Sequence, residues 1–221
     1  MQEIAADVYL LAGWPRNGIN VYVMDGFLVD AGTRHASRRI LDQVRGRPLA
    51  GHVLTHVHPD HQGASHAVCA ALGLPLWCGA RDADGMEAGD LSQLIPQNSL
   101  TRLQKRFWTG PAHPVARRLG EGDTVGSFTV VDAPGHSPGH VAFWRERDRV
   151  LILGDVLTNM SLLTGKAGLH EPPRRFTVDP AANRQSARKL AALDPAVVCF
   201  GHGPPLRDGA ALGAFADRLR R

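Results

Sequence analysis

Side chains that commonly bind metal ions follow four separate apolar segments of this chain. Residues 56–61 read HVHPDH and place three histidines and one aspartate in six positions directly after the apolar run GHVLT. His136 follows FTVV, Asp155 ends RVLILGD, and His202 follows AVVCF in a glycine-flanked turn. A metal site needs neutral imidazoles and ionised carboxylates at one point, and loops at strand ends can supply them without distorting a sheet. We therefore expect a fold in which four strand ends converge.

The spacing inside the HVHPDH stretch suits ligands of one site. In an extended chain His56 and His58 point to the same side, because side chains alternate with a period of two. Pro59 holds His58 extended, after which Asp60 and His61 turn toward the start of the next helix. Asp60 alone could be a helix N-cap, and each histidine alone is more often an ordinary polar residue than a ligand. Four metal-capable side chains in six residues nevertheless indicate a metal site.

The rest of the pattern predicts an α/β fold in one domain, residues 1–221. DVYLLAG, INVYVMDG and GFLVDAG are short β-branched and aromatic runs separated by glycines, which is typical of a strand meander. Helical periodicity in RHASRRILDQVRG and QGASHAVCAALGLP alternates with the strands GHVLTH and PLWCG. Residues 82–114 have a helical but irregular pattern. After them the sequence predicts three strands, followed by a helix, a strand and a helix. The second half thus repeats the order of the first half, strands before helices.

The order HxHxDH, single histidine, aspartate and final histidine resembles the metallo-β-lactamase-fold superfamily of metallohydrolases, over nearly the whole chain. The resemblance implies a four-layer αβ/βα sandwich with two metal ions in the groove between its two sheets. It also implies the metal ligands, which are His56, His58 and His136 for the first ion and Asp60, His61 and His202 for the second, with Asp155 bridging the two.

The chemistry of such a site also follows from general principles. Two divalent ions ~3.5 to 4 Å apart lower the pKa of a bridging water toward ~7, so hydroxide exists at neutral pH. We expect this metal-bound hydroxide to be the nucleophile and Asp60 to be able to accept its proton. Two carboxylates and one hydroxide leave a net charge of about +1, which suits attack on a carbonyl. Histidine-rich sites suit zinc, iron and manganese alike, and we expect zinc.

The resemblance also separates branches of the superfamily. Asp155 favours the glyoxalase II and lactonase-like branches, because true β-lactamases of the superfamily lack a bridging aspartate there. The expected reaction is hydrolysis of an ester, a thioester or a lactone. Neither the glyoxalase II activity nor the lactonase activity can be assigned specifically. The chain lacks the Cys-Gly-Arg segment of glyoxalase II, and Thr158 stands where the lactonases carry a tyrosine. Three alternatives remain, namely a phosphodiesterase or nuclease, a mononuclear iron persulfide dioxygenase, and a metal-dependent ligand-binding protein without turnover.

A long irregular segment, residues 157–178, predicts part of the substrate pocket, since long loops in compact domains tend to be functional. It contains GLHEPPRRF, in which two prolines stiffen the chain between His170 and the pair Arg174 and Arg175. If this piece borders the groove, one arginine can hold a carboxylate or phosphate through paired hydrogen bonds while His170 approaches the scissile carbonyl. This hypothesis predicts an acidic substrate. The alternative is that both arginines are solvated.

Composition and charge limit the kinds of partner that the chain is expected to bind. The net charge is +4, and the arginines are scattered instead of forming one stripe, so we expect a small-molecule substrate and no nucleic acid. No apolar stretch approaches the ~20 residues of a membrane span, so no membrane partner is expected. The N-terminus carries Glu3 and Asp7 where a secretory signal would carry basic residues, which predicts a cytoplasmic protein. Three widely spaced cysteines among apolar neighbours suit reduced core thiols.

One motif points to a different chemistry and fails on its mechanism. GHSPG matches the G-x-S-x-G elbow of serine hydrolases, in which the residue after the serine donates its backbone N–H to an oxyanion hole. Here that residue is Pro138, which has no N–H. We expect Ser137 to belong to a tight turn that aims His136. Among the other histidines, surface or loop positions are expected for His35, His52 and His113, and contacts with the ligands are plausible for His66 and His140.

Overall fold

The computed structural model describes residues 1–219, and its first half is built around a seven-stranded sheet. Its strands, in spatial and chain order, are β1 (Gln2–Ala5), β2 (Val8–Leu10), β3 (Tyr22–Met24), β4 (Phe27–Val29), β5 (Gly51–Val53), β6 (Leu76–Gly79) and β7 (Arg117–Leu119). The first four strands form an antiparallel meander, and β4 to β7 are parallel. The meander predicted from the glycine-separated runs is confirmed.

A five-stranded sheet organises the second half of the chain. Its chain order is β8 (Thr124–Val125), β9 (Phe128–Asp132), β10 (Val141–Arg145), β11 (Val150–Gly154) and, later, β14 (Val197–Phe200). β8 to β11 are antiparallel neighbours, and β14 lies parallel to β11 at the edge. A separate hairpin, β12 (Thr158–Met160) with β13 (Ala167–His170), occupies the segment that the sequence pattern left irregular.

Helices cover the outer face of each sheet. In the first half they are α1 (Ser37–Val44), α3 (Ser65–Leu72) and α4 (Ala80–Ala88), and in the second half α6 (Pro180–Ala191) and α7 (Gly209–Arg218). Two further helices of the first half, α2 (Pro59–Gln62) and α5 (Ser99–Trp108), contact each other. Short 3-10 turns cover Glu146–Asp148 and Arg174–Phe176. α4 and α5 account for the irregular helical pattern of residues 82–114.

Four apolar clusters define the layers. The largest joins side chains of both sheets, among them Tyr22, Phe128 and Phe143, and is the interior of the sandwich. The outer face of the first sheet packs against helices through two further clusters, and the outer face of the second sheet packs against α6 and α7 through a fourth. The order helix, sheet, sheet, helix confirms the predicted αβ/βα sandwich.

Some polar positions differ from the sequence-based expectation. His52 lies inside β5 with no exposed surface, because its ring nitrogens bond to the Leu28 carbonyl (3.0 Å) and the Ser65 hydroxyl (2.8 Å). The expected surface or loop position of His52 is therefore wrong. The three cysteines are free and buried, as predicted. Within residues 1–219, no helix combines the length and apolar character that crossing a bilayer requires.

Candidate metal centre

All seven residues predicted as metal ligands lie just beyond the carboxyl ends of strands or in the short helix α2. His56 and His58 follow β5, and α2 carries Asp60 and His61. In the second sheet, the remaining ligand candidates follow β9, β11 and β14, and they are His136, Asp155 and His202. Because β9, β11 and β14 run in the same direction, their carboxyl ends meet at one edge of that sheet. The fold brings this edge to the carboxyl end of β5.

The seven side chains form three overlapping groups of ligand atoms. In each group the atoms lie within 4.8 Å of one another, and the groups are His56 with His58 and His136, His56 with His61 and Asp155, and Asp60 with His61 and His202. Two of these groups correspond to the two ligand sets implied by the resemblance. The middle group connects them.

Asp155 lies between the two sets. Its Oδ2 atom is 3.5 Å from Nε2 of His136, which belongs to the first set, and 3.1 Å and 3.6 Å from Nε2 of His202 and His61, which belong to the second. Its side chain is 3% exposed. A carboxylate oxygen in this position can contact ions in both sets.

The hydrogen bonds of the histidine rings fix which nitrogen faces the centre. His58 Nε2 donates to the Leu94 carbonyl (2.9 Å), His61 Nδ1 donates to Asp30 (2.9 Å), and His202 Nδ1 donates to the Gly18 carbonyl. A ring nitrogen that donates is protonated, so in the neutral ring the other nitrogen carries a lone pair. These three lone pairs point into the centre.

His56 and His136 follow the same rule through hydroxyl groups. His56 Nδ1 lies 3.0 Å from Thr55 Oγ1, which itself donates to Asp30 (2.9 Å). His136 Nδ1 lies 3.3 Å from Thr177 Oγ1. When the rings are neutral, as metal-ligating imidazoles must be, all five histidines present an unprotonated nitrogen inward, and outer partners of this kind are what orient such ligands.

Several of the inward atoms have no partner within the protein. Nε2 of His56, Nε2 of His61 and Oδ1 of Asp155 are buried and make no hydrogen bond to the described residues. Buried polar atoms almost always have a partner, and leaving them without one costs about 1 to 3 kcal/mol each. The donor set of five imidazoles and two carboxylates fits divalent metal ions, which would satisfy these atoms.

The pKa values report the same electrostatic arrangement. Burial lowers the pKa of His61, but the carboxylates of Asp155 and Asp30 outweigh burial and hold it well above the usual value. His202 behaves alike, and Asp155 and Asp60 bring its pKa to about 10 despite burial. Burial raises the pKa of Asp155, yet His202 and His61 keep it well below the usual value. Two carboxylates among five imidazoles thus favour a positive charge at this point.

Asp82, in the first turn of α4, links the two ligand-bearing loops. Its fully buried carboxylate accepts hydrogen bonds from the Val57 N–H (3.0 Å), the Ser137 hydroxyl (2.6 Å) and the Gly139 N–H (2.6 Å). Val57 separates His56 from His58. One side chain therefore holds the first histidine pair and the loop of the third histidine at a set separation.

The environment of Ser137 agrees with the rejection of a serine nucleophile. Its hydroxyl is fully buried and donates to Asp82, not to a histidine. The turn around it is tight, because Gly135 adopts φ +135° and its N–H donates to the Ser137 carbonyl (3.0 Å).

His140 lies beside the ligands, where its Nε2 accepts the Asp155 N–H (3.1 Å). Its ring also stacks on His56 at 4.8 Å.

A cleft with about 780 Å³ of empty space, open to solvent, leads to the ligands. Its floor contains His58, Asp60, His136, Asp155 and His202. Its walls are formed by residues of four segments, which are the loop before β3, α2, the segment around α5 and the segment after β11. They are Gly18, Ile19, Pro59, Ile95, Thr101, Gln104, Trp108, Met160, Leu162 and Phe176.

The three residues predicted to bind substrate are not among those that line the cleft. His170 pairs with Thr158 in the β12–β13 hairpin, and Arg174 and Arg175 are exposed on a 3-10 turn whose next residue, Phe176, lines the cleft instead. Thr158 is fully buried, and its hydroxyl donates to the Met160 carbonyl (2.7 Å). The structure therefore places the two arginines in solvent, the alternative considered above.

Sequence reasoning missed Asp30 and Asp82. Asp30 directly follows β4 in the run FLVDAG, the same apolar-run-then-aspartate pattern that identified Asp155, so a signal for it was present. Asp82 carries no such signal, because an aspartate in the first turn of a helix is ordinary. The cleft walls contributed by α5 were also missed.

Comparisons with known proteins agree with this geometry. A family model described as Metallo-beta-lactamase superfamily matches residues 14–202. A probable metallo-hydrolase of Bacillus subtilis, YflN, is 29% identical over 201 residues, which cover 81% of this chain and 75% of that protein. A hydroxyacylglutathione hydrolase of Fuscovulum blasticum is 31% identical over 163 residues, and this match covers 72% of the chain but 50% of that protein.

Solved structures show the same fold. TTHA1623, crystallised in a di-iron-bound form, is 32% identical with a TM-score of 0.63, covering 91% of this chain and 89% of that one. A metallo-beta-lactamase family protein of Thermus thermophilus has a TM-score of 0.69 at 24% identity, covering 98% of this chain and 79% of that one. With a family model matching residues 14–202 and a sandwich shared with these structures, the chain belongs to the metallo-beta-lactamase superfamily.

Proposed function

We propose that this chain is a dinuclear metal-dependent hydrolase of esters, thioesters or lactones, which breaks the bond between the carbonyl carbon and the ester oxygen or the thioester sulfur. The observation that carries the proposal is the position of Asp155 Oδ2, within 3.1 to 3.6 Å of Nε2 atoms from both ligand sets. A shared carboxylate between two sets of imidazoles suits two ions better than one. Zinc is the expected metal, with iron or manganese as alternatives.

The residues would divide the work as follows. His56, His58 and His136 would hold one ion, Asp60, His61 and His202 would hold the other, and Asp155 would contribute to both sets. Divalent ions in such a site polarise a carbonyl oxygen and make water acidic enough to attack at neutral pH.

Asp60 is the carboxylate placed to move a proton. It lines the cleft floor, and its Oδ2 lies 3.4 Å from His202 Nε2. Burial raises its pKa, but the hydrogen bond from His202 and the charge of His61 lower it overall, so the carboxylate is ionised at neutral pH. In the reaction, the water oxygen bonds to the carbonyl carbon while Asp60 accepts a proton from the water. The bond from that carbon to the oxygen or sulfur of the leaving group then breaks, and Asp60 passes the proton to the leaving alcohol or thiol.

The relatives support the carbonyl chemistry. One group of similar proteins consists of hydroxyacylglutathione hydrolases, which are 29 to 37% identical to this chain over the matched residues. The probable metallo-hydrolases of Bacillus subtilis match a larger share of their own length, so they resemble the whole of this chain more closely. Hydrolysis is the chemistry common to both sets of names.

The proposal is tested by metal analysis coupled to a substrate panel. Elemental analysis should approach two metal ions per chain, and the protein should hydrolyse carboxylic esters, thioesters or lactones faster than phosphodiesters. Oxygen consumption with a persulfide should be absent. A fully active enzyme with one ion per chain, or turnover confined to phosphodiesters or persulfides, would overturn the proposal.

Replacement of the bridging carboxylate tests the role of Asp155. Asp155→Asn removes the negative charge that both ligand sets share, so we expect at least about tenfold weaker metal binding and a loss of turnover. Asp132→Asn is the matched control, because Asp132 also ends a strand of the second sheet but does not line the metal cleft. Equal metal content and activity in the two variants would assign Asp155 a structural role only.

A further inference from the structure

The walls of the cleft are apolar above the metal ligands. The apolar lining of the cleft includes Ile95 and Trp108 from the first half of the chain, and Met160, Leu162 and Phe176 from the second half. Trp108 lies at the end of α5, and Phe176 ends the 3-10 turn after β13. A ligand held in the cleft lies among these side chains.

The polar groups in the walls are few. Thr101 lines the cleft, but its hydroxyl already donates to the Pro96 carbonyl (2.6 Å). Gln104 contributes a side-chain amide one helical turn further along α5. These groups can accept or donate a hydrogen bond to a carbonyl or amide, but neither carries a charge.

No lysine or arginine among residues 1–219 lines the cleft. On α5, the residues that line it are Thr101, Gln104 and Trp108, which share one face, while the exposed Arg102 and Arg106 lie on others. The charged side chains within the cleft all belong to the ligand cluster at its floor, namely the Asp60 and Asp155 carboxylates and His202, whose pKa is about 10. A carboxylate on the part of the substrate that lies against the walls would lose its hydration without gaining a cationic side chain in exchange, which is unfavourable.

Resting on the proposed hydrolase function, we infer that the substrate carries next to its scissile carbonyl an uncharged alkyl or aryl chain, which lies against the apolar side chains of the cleft walls, among them Trp108, Leu162 and Phe176. The inference separates this chain from an enzyme for glutathione thioesters, since glutathione carries two carboxylates. It also replaces the acidic substrate expected from Arg174 and Arg175.

The magnitude follows from the burial of methylene groups. Each CH₂ moved from water into an apolar site contributes about 0.8 kcal/mol, which corresponds to about fourfold in binding or in kcat/KM. Along a series of p-nitrophenyl esters from acetyl to octanoyl, kcat/KM should therefore rise about fourfold per methylene until the cleft is filled. A hydrophilic or open site would give a flat series.

Binding to the metal-free protein provides a readout that does not depend on catalysis. By calorimetry on chelator-treated protein, octanamide should bind and acetamide should not. Suberamate, which has the same number of carbons as octanamide but ends in a carboxylate, should bind at least about tenfold more weakly than octanamide. If octanamide does not bind, or suberamate binds as well as octanamide, the inference is wrong whether or not the protein hydrolyses esters.

Two neighbouring leucines give a matched pair of variants. Leu162 lines the cleft, whereas the side chain of Leu163 is 59% exposed and does not line it. Leu162→Arg should weaken octanamide binding at least about tenfold and favour suberamate over octanamide, because it adds the missing cation to an apolar wall. Leu163→Arg should leave both affinities within about twofold.

The outcomes separate the inference from the proposed function. Octanamide binding that is lost in Leu162→Arg but kept in Leu163→Arg supports the apolar cleft even if none of the tested esters is hydrolysed, and then only the hydrolase proposal fails. Ester hydrolysis with a flat chain-length series, or a preference for a glutathione thioester over the thioester of the same acyl group with a neutral thiol, overturns the inference and leaves the hydrolase proposal standing.

Discussion

The Asp82 carboxylate offers the sharpest test of how the metal centre is held together. It accepts three hydrogen bonds, from Val57 N–H, Ser137 Oγ–H and Gly139 N–H, at 3.0, 2.6 and 2.6 Å. Asp82→Ala leaves three buried donors without an acceptor. Each hydrogen bond to a charged group contributes about 1.5 to 3 kcal/mol, and water entering the space recovers part of this, so the free energy of unfolding should fall by about 3 to 5 kcal/mol.

Metal affinity should fall together with stability. The three donors lie in the two loops that carry His56, His58 and His136, so losing their common acceptor allows these loops to separate. Partners that orient metal ligands typically change affinity by about 10- to 100-fold when they are removed, and we expect this range for Asp82→Ala. Urea unfolding of the chelated protein measures the first effect, and competition with a chromogenic chelator measures the second.

Two controls define the result. Asp84→Ala removes a carboxylate from the same helix, but this one pairs with Arg118 at the surface and is 84% exposed, so stability should change by no more than about 0.5 kcal/mol. Ser137→Ala removes one donor of the three and should cost about 1 kcal/mol while keeping most hydrolytic activity. If Asp82→Ala changes the free energy of unfolding and the metal affinity no more than Asp84→Ala does, the hydrogen bonds of Asp82 do not stabilise the two loops and the reasoning is wrong.

Two further predictions concern packing and pH. Gly201→Ala places a methyl group in steric overlap with Asp155 Oδ1, so metal affinity should fall at least about tenfold in a chelator competition, whereas Gly213→Ala meets no atom within 4 Å and should leave it unchanged. Burial lowers the pKa of His52 to about 4, so as pH falls the unfolded chain binds this proton first, near its usual pKa of 6.5. Stability conferred by neutral His52 is complete above about pH 6.5 and decreases down to about pH 4, by up to roughly 3 kcal/mol. Urea unfolding of the chelated His52→Gln variant should lack this part of the pH dependence, and a pH dependence equal to the wild type would contradict the assignment.

The fold and the convergence of the seven candidate ligands were predictable because both depend on local pattern. Each ligand follows an apolar run that becomes a buried strand, and strand ends are where loops leave a sheet. The doubled order of strands and helices then predicts two sheets covered by helices. Nothing in that inference requires contacts between distant residues.

The positioning residues were not predictable in the same way. Asp82 sits 25 positions after Val57 and 55 before Ser137, so its bonds depend on how two loops and a helix meet. His52 occupies a strand interior, where a polar residue is acceptable because Leu28 and Ser65 supply its partners. A single sequence does not identify such partners, since the local pattern around each residue is ordinary.

The residues predicted to bind substrate do not line the cleft, for a different reason. Arg174, Arg175 and Phe176 are consecutive in a 3-10 turn, so they point in different directions, and only Phe176 lines the cleft. On α5, apolar periodicity favours burial of Leu103 and Phe107, yet these are 54% and 46% exposed, and a different face of the helix forms the cleft wall. A helix that lines a cleft faces a ligand space instead of a protein core. The apolar periodicity of its sequence therefore does not show which face lines the cleft.

The bonds around the metal centre also join the two halves of the sandwich, which couples metal binding to the packing of the sheets. Asn20 and Tyr22, from the first half, donate to the Phe200 carbonyl at the end of β14, at 2.8 and 2.9 Å. Asp82 receives its bonds from loops of both halves. Ions held by ligands from both halves would stabilise the folded sandwich by mass action, by about 2.7 kcal/mol at a hundredfold excess over Kd. Substitutions that loosen these cross-links should therefore affect metal affinity and folding stability together, whereas substitutions in the cleft walls should change substrate preference alone.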